Sequence, residues 1–152
     1  DQAVAHTQLG TLYEKSGNTE LAETCYKNAL KQNPEYIPAL NNLAYMYADK
    51  DREMNKALEY ARKAKELAGE IPPIMDTLGW VYYKKQLYDS AIEEFKLCVD
   101  KDPQNAVFNY HLGLAYKKKW DDIKAKKYLS KALELNNAFD GADNARKILD
   151  TL

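Results

Sequence analysis

No stretch of this sequence is apolar for more than a few residues, so no segment is long enough to span a bilayer. Neither sign of charge is in excess, because 22 basic side chains are balanced by 23 acidic ones. This balance gives no reason to expect a nucleic acid or a membrane surface as the partner. Apolar residues still make up 45% of the chain, which is too many for a disordered segment and enough to build a core.

Residues that commonly carry out chemistry are scarce as well. The two cysteines, Cys25 and Cys98, are too few for a disulfide framework, and the two histidines, His6 and His111, are far apart in the sequence. No cysteine or histidine pair has metal-ligand spacing, and no glycine-rich loop is placed to hold a phosphate. We therefore predict a protein that is not an enzyme, with no catalytic residue, no metal site and no cofactor.

An internal repeat dominates the sequence. A leucine followed by a glycine or alanine recurs with a tyrosine four residues after the leucine, at spacings of 34, 35 and 34 residues. The tyrosines of this row are Tyr13, Tyr47, Tyr82 and Tyr116. Two rows of small residues recur at spacings of 35, 34 and 34 residues. The first row is Ala22, Ala57, Ala91 and Ala125, and the second is Ala29, Ala64, Cys98 and Ala132. The tyrosine row has its longer spacing between repeats two and three, whereas the small-residue rows have it between repeats one and two. The extra residue therefore follows Tyr47 and precedes Ala57, which places it within residues 48–56.

Within each unit the apolar residues follow a helical period rather than an alternating one. Pro34 and Pro103 end the second helices of units one and three, since proline cannot continue helical hydrogen bonding. The small residues at the packing positions let two antiparallel helices approach to about 8–10 Å. In such a stack Cys25 and Cys98 lie roughly 20 Å or more apart. That separation exceeds the reach of a disulfide, about 7 Å between Cα atoms, so we expect none within a monomer.

The pattern Leu-Gly-x-x-Tyr, then Ala-x-x-x-aromatic-x-x-Ala, then Pro resembles the tetratricopeptide repeat, and it covers nearly the whole chain. Tyr26 and Phe95 hold the aromatic position in units one and three, whereas Ala61 and Leu129 hold it in units two and four. The resemblance implies an all-α fold, a right-handed α-solenoid of about four helix–turn–helix repeats plus a C-terminal capping helix. It also implies a non-catalytic scaffold that binds a protein or peptide.

We place the repeats at residues 3–36, 37–71, 72–105 and 106–139, with the capping helix at 140–152. Apolar residues of that last helix would cover the open end of the array, because each repeat buries its faces only against its neighbours. They are Ala142, Ala145, Ile148 and Leu149. The chain begins with Asp1 rather than Met, and no comparable cap precedes Ala3. We therefore expect it to be a piece of a longer protein.

The resemblance implies that the first helices of successive repeats line a concave groove. Helical geometry then selects the residues on those helices that lie opposite the packing stripe. The predicted partner-binding residues are Asn41, Asn42, Tyr45, Asp76, Thr77, Trp80, Tyr83, Tyr110, His111 and Leu114. The aromatic members offer flat apolar surface with polar tips, which is the chemistry enriched at binding hot spots. The polar members would hydrogen-bond a peptide backbone and set its register.

One groove chemistry of this family is disfavoured by the residues present. Repeat proteins that capture the free C-terminal carboxylate of chaperones resemble one another in carrying lysine, arginine and asparagine on successive first helices. Here only Asn42 fits that pattern, and Thr7, Thr11, Pro73 and Thr77 stand where the other members, including every cation, would be.

Two other partners remain as alternatives to a peptide. The uncapped N-terminal face and the exposed aromatics could drive self-assembly into homo-oligomers. The fourth repeat carries seven lysines against three acidic residues, with Trp120 among them, so single-stranded nucleic acid is a weaker alternative. The segments 41–45 (NNLAY) and 76–80 (DTLGW) are also similar to bacterial cell-envelope and exopolysaccharide repeat proteins. That similarity suggests an envelope or cytoplasmic location without membrane insertion.

Overall fold

The computed structural model describes every residue from Asp1 to Leu152. It contains nine α-helices and no strand, so the predicted all-helical repeat fold is confirmed. The helices are α1 (Gln2–Lys15), α2 (Thr19–Gln32), α3 (Ile37–Asp49), α4 (Met54–Ala68), α5 (Pro72–Lys84), α6 (Tyr88–Lys101), α7 (Ala106–Lys118), α8 (Asp122–Leu135) and α9 (Ala142–Leu149). No helix is both long enough and apolar enough to cross a membrane.

The turn between the two helices of a repeat is built the same way four times. In each turn one residue takes a left-handed backbone with positive φ, and the next residue donates its N–H to the carbonyl of the row tyrosine. This pair of features is the Schellman ending of an α-helix, which satisfies carbonyls that have no partner inside the helix. The left-handed residues are Gly17, Asp51, Gln86 and Trp120. The extra residue of the second repeat lies in this turn, which runs over four residues, 50–53, whereas the others have three.

Close packing inside a repeat depends on a small residue opposite a large one. A Cβ atom added to Gly10 would come within 2.6 Å of the Tyr26 ring, and one added to Gly79 would come within 2.5 Å of the Phe95 ring. Gly113 stands in the same relation to Leu129, at 2.8 Å. The glycines of the Leu-Gly row therefore make room for the residue at the aromatic position on the second helix.

The helices form two compact units, Asp1–Thr77 and Leu78–Leu152, and the boundary between them falls within α5. Each unit has its own core. In the first unit Leu40, Ala64 and Ile74 are buried together. In the second unit one buried cluster contains Phe95, Leu112 and Tyr116. A second cluster there contains Tyr110, Leu114 and Leu129.

Cys25 belongs to the first unit and Cys98 to the second, and each is a buried free thiol. Burial raises the pKa of the Cys25 thiol above its ordinary value. Since the thiolate is the reactive form, Cys25 is suited to packing rather than to chemistry.

Candidate functional site

The predicted partner-binding residues are divided between the two units. Those of the first unit are Asn41, Asn42, Tyr45, Asp76 and Thr77, and those of the second are Trp80, Tyr83, Tyr110, His111 and Leu114. In the first unit Asn41, Asn42 and Tyr45 are half-buried on α3, whereas Asp76 and Thr77 are buried on α5.

The polar groups of the first unit differ in how far they are already engaged. The Thr77 hydroxyl donates to the carbonyl of Pro73 at 3.1 Å. The Asn42 side chain is hydrogen-bonded to the Tyr26 hydroxyl. The carbonyl oxygen of the Asn41 side chain, by contrast, is buried without a hydrogen-bond donor. Asn41 therefore keeps the most unused hydrogen-bonding capacity of these three residues.

In the second unit the predicted aromatic residues meet in one stack. The Trp80 and Tyr83 rings of α5 lie 5.1 Å apart and nearly parallel. Trp80 also stacks on His111 of α7 with ring centroids 4.7 Å apart, and Tyr110 lies 5.7 Å from the same imidazole. His111 is further packed against Phe95, at 5.3 Å. These contacts hold Trp80 in a fixed orientation between the two first helices of the unit.

This stack forms one wall of a cavity of about 460 Å³, which is within the range of about 300–1,000 Å³ typical of ligand sites. Four predicted residues line the cavity: Trp80, Tyr83, Tyr110 and Leu114. Five other residues complete it: Lys117, Lys118, Trp120, Asn144 and Ile148. Thus α5, α7, the turn after α7 and the capping helix α9 all contribute. His111 does not line the cavity, because its ring is buried behind Trp80.

The capping helix closes one side of the cavity through Tyr110. Asn144 of α9 donates a hydrogen bond from its side-chain amide to the Tyr110 hydroxyl at 2.9 Å. Gly141 precedes α9 with φ of +107°, and a Cβ atom there would lie 2.6 Å from the Tyr110 ring. Phe139 packs edge-on against the same ring at 5.2 Å. Tyr110 is therefore held in place by Asn144, Gly141 and Phe139.

Two tyrosine hydroxyls at the cavity stay protonated over a wide pH range. Burial raises the pKa of Tyr83 to about 12, and the nearby hydroxyls of Tyr88 and Tyr110 act in the same direction. Burial likewise raises the pKa of Tyr110, partly offset by the hydrogen bond from Asn144. At neutral pH both groups are therefore neutral.

The charged residues that line the cavity are both lysines. Lys117 is paired with Asp122 at 2.9 Å, and Lys118 is exposed at the end of α7. Other lysines of the fourth repeat are neutralised locally by carboxylates of the chain. These contacts are Lys119–Asp89, Lys124–Asp121 and Lys131–Glu134. Of the carboxylates that pair with these lysines only Asp89 comes from outside the fourth repeat, so the pairing lowers the repeat's cationic excess by little.

Trp120 is the most unusual residue of the site. Its side chain is 85% exposed, and its backbone has φ of +61°. A non-glycine residue in this region is disfavoured because its Cβ approaches a backbone carbonyl, and a tryptophan there is rare. Neither burial nor backbone preference therefore explains the tryptophan at this position.

Two family models of the tetratricopeptide repeat match the chain, one over residues 3–36 and the other over residues 72–105 and 106–139, and together they cover more than half of it. The chain is a tetratricopeptide repeat protein. The second repeat lies outside these matches, and it is also the repeat that has Ala61 at the aromatic position and a longer turn.

Relatives of known sequence include proteins of very different size. The TPR repeat-containing protein PA4667 of Pseudomonas aeruginosa is 28% identical over 102 residues, which are 67% of this chain and 17% of that protein. Anaphase-promoting complex subunit CDC16 of Saccharomyces cerevisiae is 30% identical over 134 residues, which are 84% of this chain and 16% of that protein. Type IV pilus assembly protein PilF of P. aeruginosa is 29% identical over 135 residues, which are 87% of this chain and 53% of that protein. The chain spans about a sixth of the first two relatives.

Solved structures of tetratricopeptide repeat proteins have the same fold. The TTC0263 protein of Thermus thermophilus superposes with a TM-score of 0.83 at 22% identity, over 98% of this chain and 80% of that one. PilF of P. aeruginosa superposes with a TM-score of 0.81 at 25% identity, over 97% of this chain and 67% of that one. Tetratricopeptide repeats generally mediate protein–protein interaction and scaffolding, and no enzymatic family is indicated among these matches.

Sequence reasoning did not include five residues of the cavity among the predicted binding residues. Asn144 and Ile148 were missed because α9 was treated only as a cap, although it follows α8 as a further first helix would. Lys117 and Trp120 belong to the lysine-rich run and were not predicted to face a partner, whereas helical geometry does place Lys118 on the groove side of α7. The repeat register contained a signal for Trp120, since it stands where the first repeat has Gly17.

Proposed function

We propose that the chain is a non-catalytic interaction module that binds a peptide segment or protein surface of a partner, with the cavity of the second unit as its main contact. The observation that carries this proposal is the convergence of Trp80, Tyr83, Tyr110 and Leu114 on one concave, largely apolar site. Aromatic side chains in a recessed site, surrounded by polar residues, are typical of interaction hot spots.

Trp80 is the residue from which we expect the largest contribution to partner binding. Its ring is only half-buried and is fixed by two stacking partners, Tyr83 and His111. A ring that is already ordered loses little conformational entropy when a ligand packs against it, so more of the contact energy appears as affinity.

The first unit has predicted binding residues of its own, which offer hydrogen bonds rather than apolar contact. The side-chain carbonyl oxygen of Asn41 is buried without a donor, so a peptide N–H could supply one only after the side chain turns outward. Tyr45 is half-buried on the same helix, α3. We expect smaller contributions from Asp76 and Thr77, which are buried, and from Asn42, which is engaged with Tyr26.

Selection of peptides from a random display library tests the proposal. Peptides enriched on the immobilised chain would be synthesised, and their dissociation constants measured by calorimetry. We expect Trp80→Ala to weaken binding about tenfold or more, which corresponds to about 1.4 kcal/mol. The same variant should lower the melting temperature, since Trp80 packs against both core clusters of the second unit.

Tyr128→Ala is the matched control for that loss of packing. Tyr128 is a half-buried ring stacked on Tyr116 at 5.7 Å, and it does not line the cavity. Tyr128→Ala should lower the melting temperature by about as much as Trp80→Ala does, without changing the affinity for the peptide. Equal loss of affinity in both variants, or no peptide enriched by the wild type, would show that the cavity is not the binding site.

Self-association is a second candidate function, favoured by two rows of equivalent residues. Leu9 and Leu12 of the first repeat are 41% and 63% exposed, whereas their counterparts in the other repeats are buried. The counterparts are Leu43, Leu78 and Leu112 for the first row and Met46, Val81 and Ala115 for the second. The dependence of molar mass on concentration tests whether this face packs against another copy of the chain.

A further inference from the structure

The backbone of the turn after α7 is poorly suited to the residue it carries. The four equivalent turn residues all have positive φ, namely +80° at Gly17, +51° at Asp51, +62° at Gln86 and +61° at Trp120. Glycine adopts this conformation without a steric penalty, and asparagine or aspartate tolerates it better than other residues do. A tryptophan therefore makes the turn less stable than the residue used in the first repeat would.

Burial of the ring does not compensate for that cost. The Trp120 side chain is 85% exposed, so almost none of its apolar area is removed from water in the folded chain. It nevertheless lines the cavity together with Leu114 and the aromatic residues of α5. An exposed, backbone-strained aromatic residue at the edge of an apolar cavity is best explained by contact with an occupant.

The charge at the cavity indicates what kind of occupant fits. Lys117 and Lys118 are its charged lining residues, and no carboxylate lines it. Lys118 is exposed, and Lys117 is shared with the exposed Asp122. An acidic segment is complementary to this edge, whereas a basic segment would be repelled.

We propose that the cavity takes an acidic segment of a partner protein, with one bulky apolar side chain inserted against Trp80 and Trp120. Carboxylates that flank this side chain pair with Lys118 and Lys117. The inference rests on the proposed interaction function and names the chemical class of the partner. Trp120 closes over the inserted side chain, so its apolar area becomes buried only in the complex.

A protein segment fits this site better than a single-stranded nucleic acid does. A polyanion needs a continuous track of unpaired cations, and affinity for it grows with the number of phosphates neutralised. Here Lys119, Lys124 and Lys131, like Lys117, are each paired with a carboxylate of the chain, so the lysines form no continuous unpaired track. Only Lys117 and Lys118 line the cavity, and they lie beside an apolar surface that a phosphate backbone would leave unused.

Three capped peptides test the inference by fluorescence anisotropy. The first has one phenylalanine flanked by aspartate and glutamate, the second has lysine in place of every acid, and the third has glycine in place of the phenylalanine. We expect the first to bind the wild-type chain at least about tenfold more tightly than either of the others. Labelled oligothymidine serves as the nucleic-acid probe and should bind more weakly than the first peptide.

Two pairs of variants separate the role of each side chain from its effect on folding. Trp120→Gly should weaken binding of the acidic peptide about tenfold while leaving the melting temperature equal or higher. Gln86→Gly makes the same backbone change in the preceding repeat and should leave binding unchanged. Lys118→Glu should also weaken binding about tenfold. Lys126→Glu, an identical charge change at an exposed position of α8, should not.

Each outcome decides for or against the inference. It is overturned if the lysine peptide or oligothymidine binds as tightly as the acidic peptide, or if Trp120→Gly keeps full affinity. It is also overturned if the acidic peptide fails to bind while display-selected peptides bind in a Trp80-dependent way. In that last case the proposed interaction function stands, and only the chemical class of the partner is wrong.

Discussion

Gly79 has no side chain, and the ring of Phe95 occupies the space where one would begin. The same relation joins Gly10 to Tyr26, and a glycine to a leucine in the fourth repeat. The second repeat has alanine at both equivalent positions, Ala44 and Ala61. A large residue on the second helix is thus opposite a glycine on the first, because the Cβ of any larger residue would meet it.

We expect Gly79→Ala to destabilise the chain by about 1–3 kcal/mol, since its Cβ would lie 2.5 Å from Cε1 of Phe95. Phe95→Ala removes the obstacle but leaves a cavity, at a cost of about 3–5 kcal/mol. The double variant reproduces the alanine pair of the second repeat, so it should be more stable than the sum of the two losses predicts. Urea unfolding of the four proteins gives the coupling energy.

If the losses in free energy of unfolding of Gly79→Ala and Phe95→Ala simply add in the double variant, the two positions are not coupled by size. Ala44→Gly is the control without a steric clash, and it should cost about 2 kcal/mol through lost helix propensity and the loss of one buried methyl group. These pairs were predictable from the sequence in kind, since the Leu-Gly row and the aromatic row are both visible there. Their individual distances were not, because they depend on how closely each pair of helices packs.

At the scale of secondary-structure elements, Glu23 of α2 connects three parts of the first unit. Its carboxylate accepts hydrogen bonds from Tyr47 of α3 at 3.0 Å and from Arg52 of the four-residue turn, and it pairs with Lys27 at 2.6 Å. Burial acts to raise the pKa of Glu23, but the hydrogen bonds from Lys27, Tyr47 and Arg52 together lower it below its ordinary value of 4.5.

This lowered pKa makes the stability of the chain dependent on pH. A carboxyl group with a depressed pKa in the folded state contributes its full stabilisation above the unfolded pKa, near 4.5, and loses it as the pH falls through the folded pKa. Glu23→Gln should therefore reduce the free energy of unfolding at neutral pH by on the order of 1 kcal/mol. The difference from wild type should shrink as the pH falls below 4.5.

Urea unfolding followed by circular dichroism over a pH series measures this difference. Glu59→Gln, which changes an exposed carboxylate of α4, should leave the pH dependence of wild type in place. A constant gap between wild type and Glu23→Gln at every pH would mean that the carboxylate charge does not stabilise the unit. The sequence alone did not reveal this network, because Glu23 and Arg52 are far apart along the chain and belong to different repeats.

At the scale of the whole molecule, the exposure of Leu9 and Leu12 distinguishes the first repeat from the others. In the other three repeats the residues of these rows are buried, so this face has the composition of a packing surface. Large apolar side chains exposed on such a face favour association with a second surface, either another repeat or another copy of the chain.

We expect the weight-average molar mass from light scattering to rise with protein concentration for the wild type. Leu12→Glu should remain monomeric over the same range, since it places a charge on the exposed apolar face. Leu67→Glu, which changes another exposed leucine on α4, is the control and should behave as the wild type does. A constant monomer mass for the wild type at all concentrations would remove self-association as a function.

The repeat, its length and its helical class follow from the sequence by itself, because Leu, Gly, Tyr and Ala recur at fixed spacings and each repeat folds by short-range rules. The aromatic residues Trp80, Tyr83 and Tyr110 were identified as candidates in the same way. Only the tertiary structure decided that they share one cavity with Trp120 and α9. That arrangement depends on how separate helices pack and on the left-handed turn at Trp120, and no local pattern encodes either one.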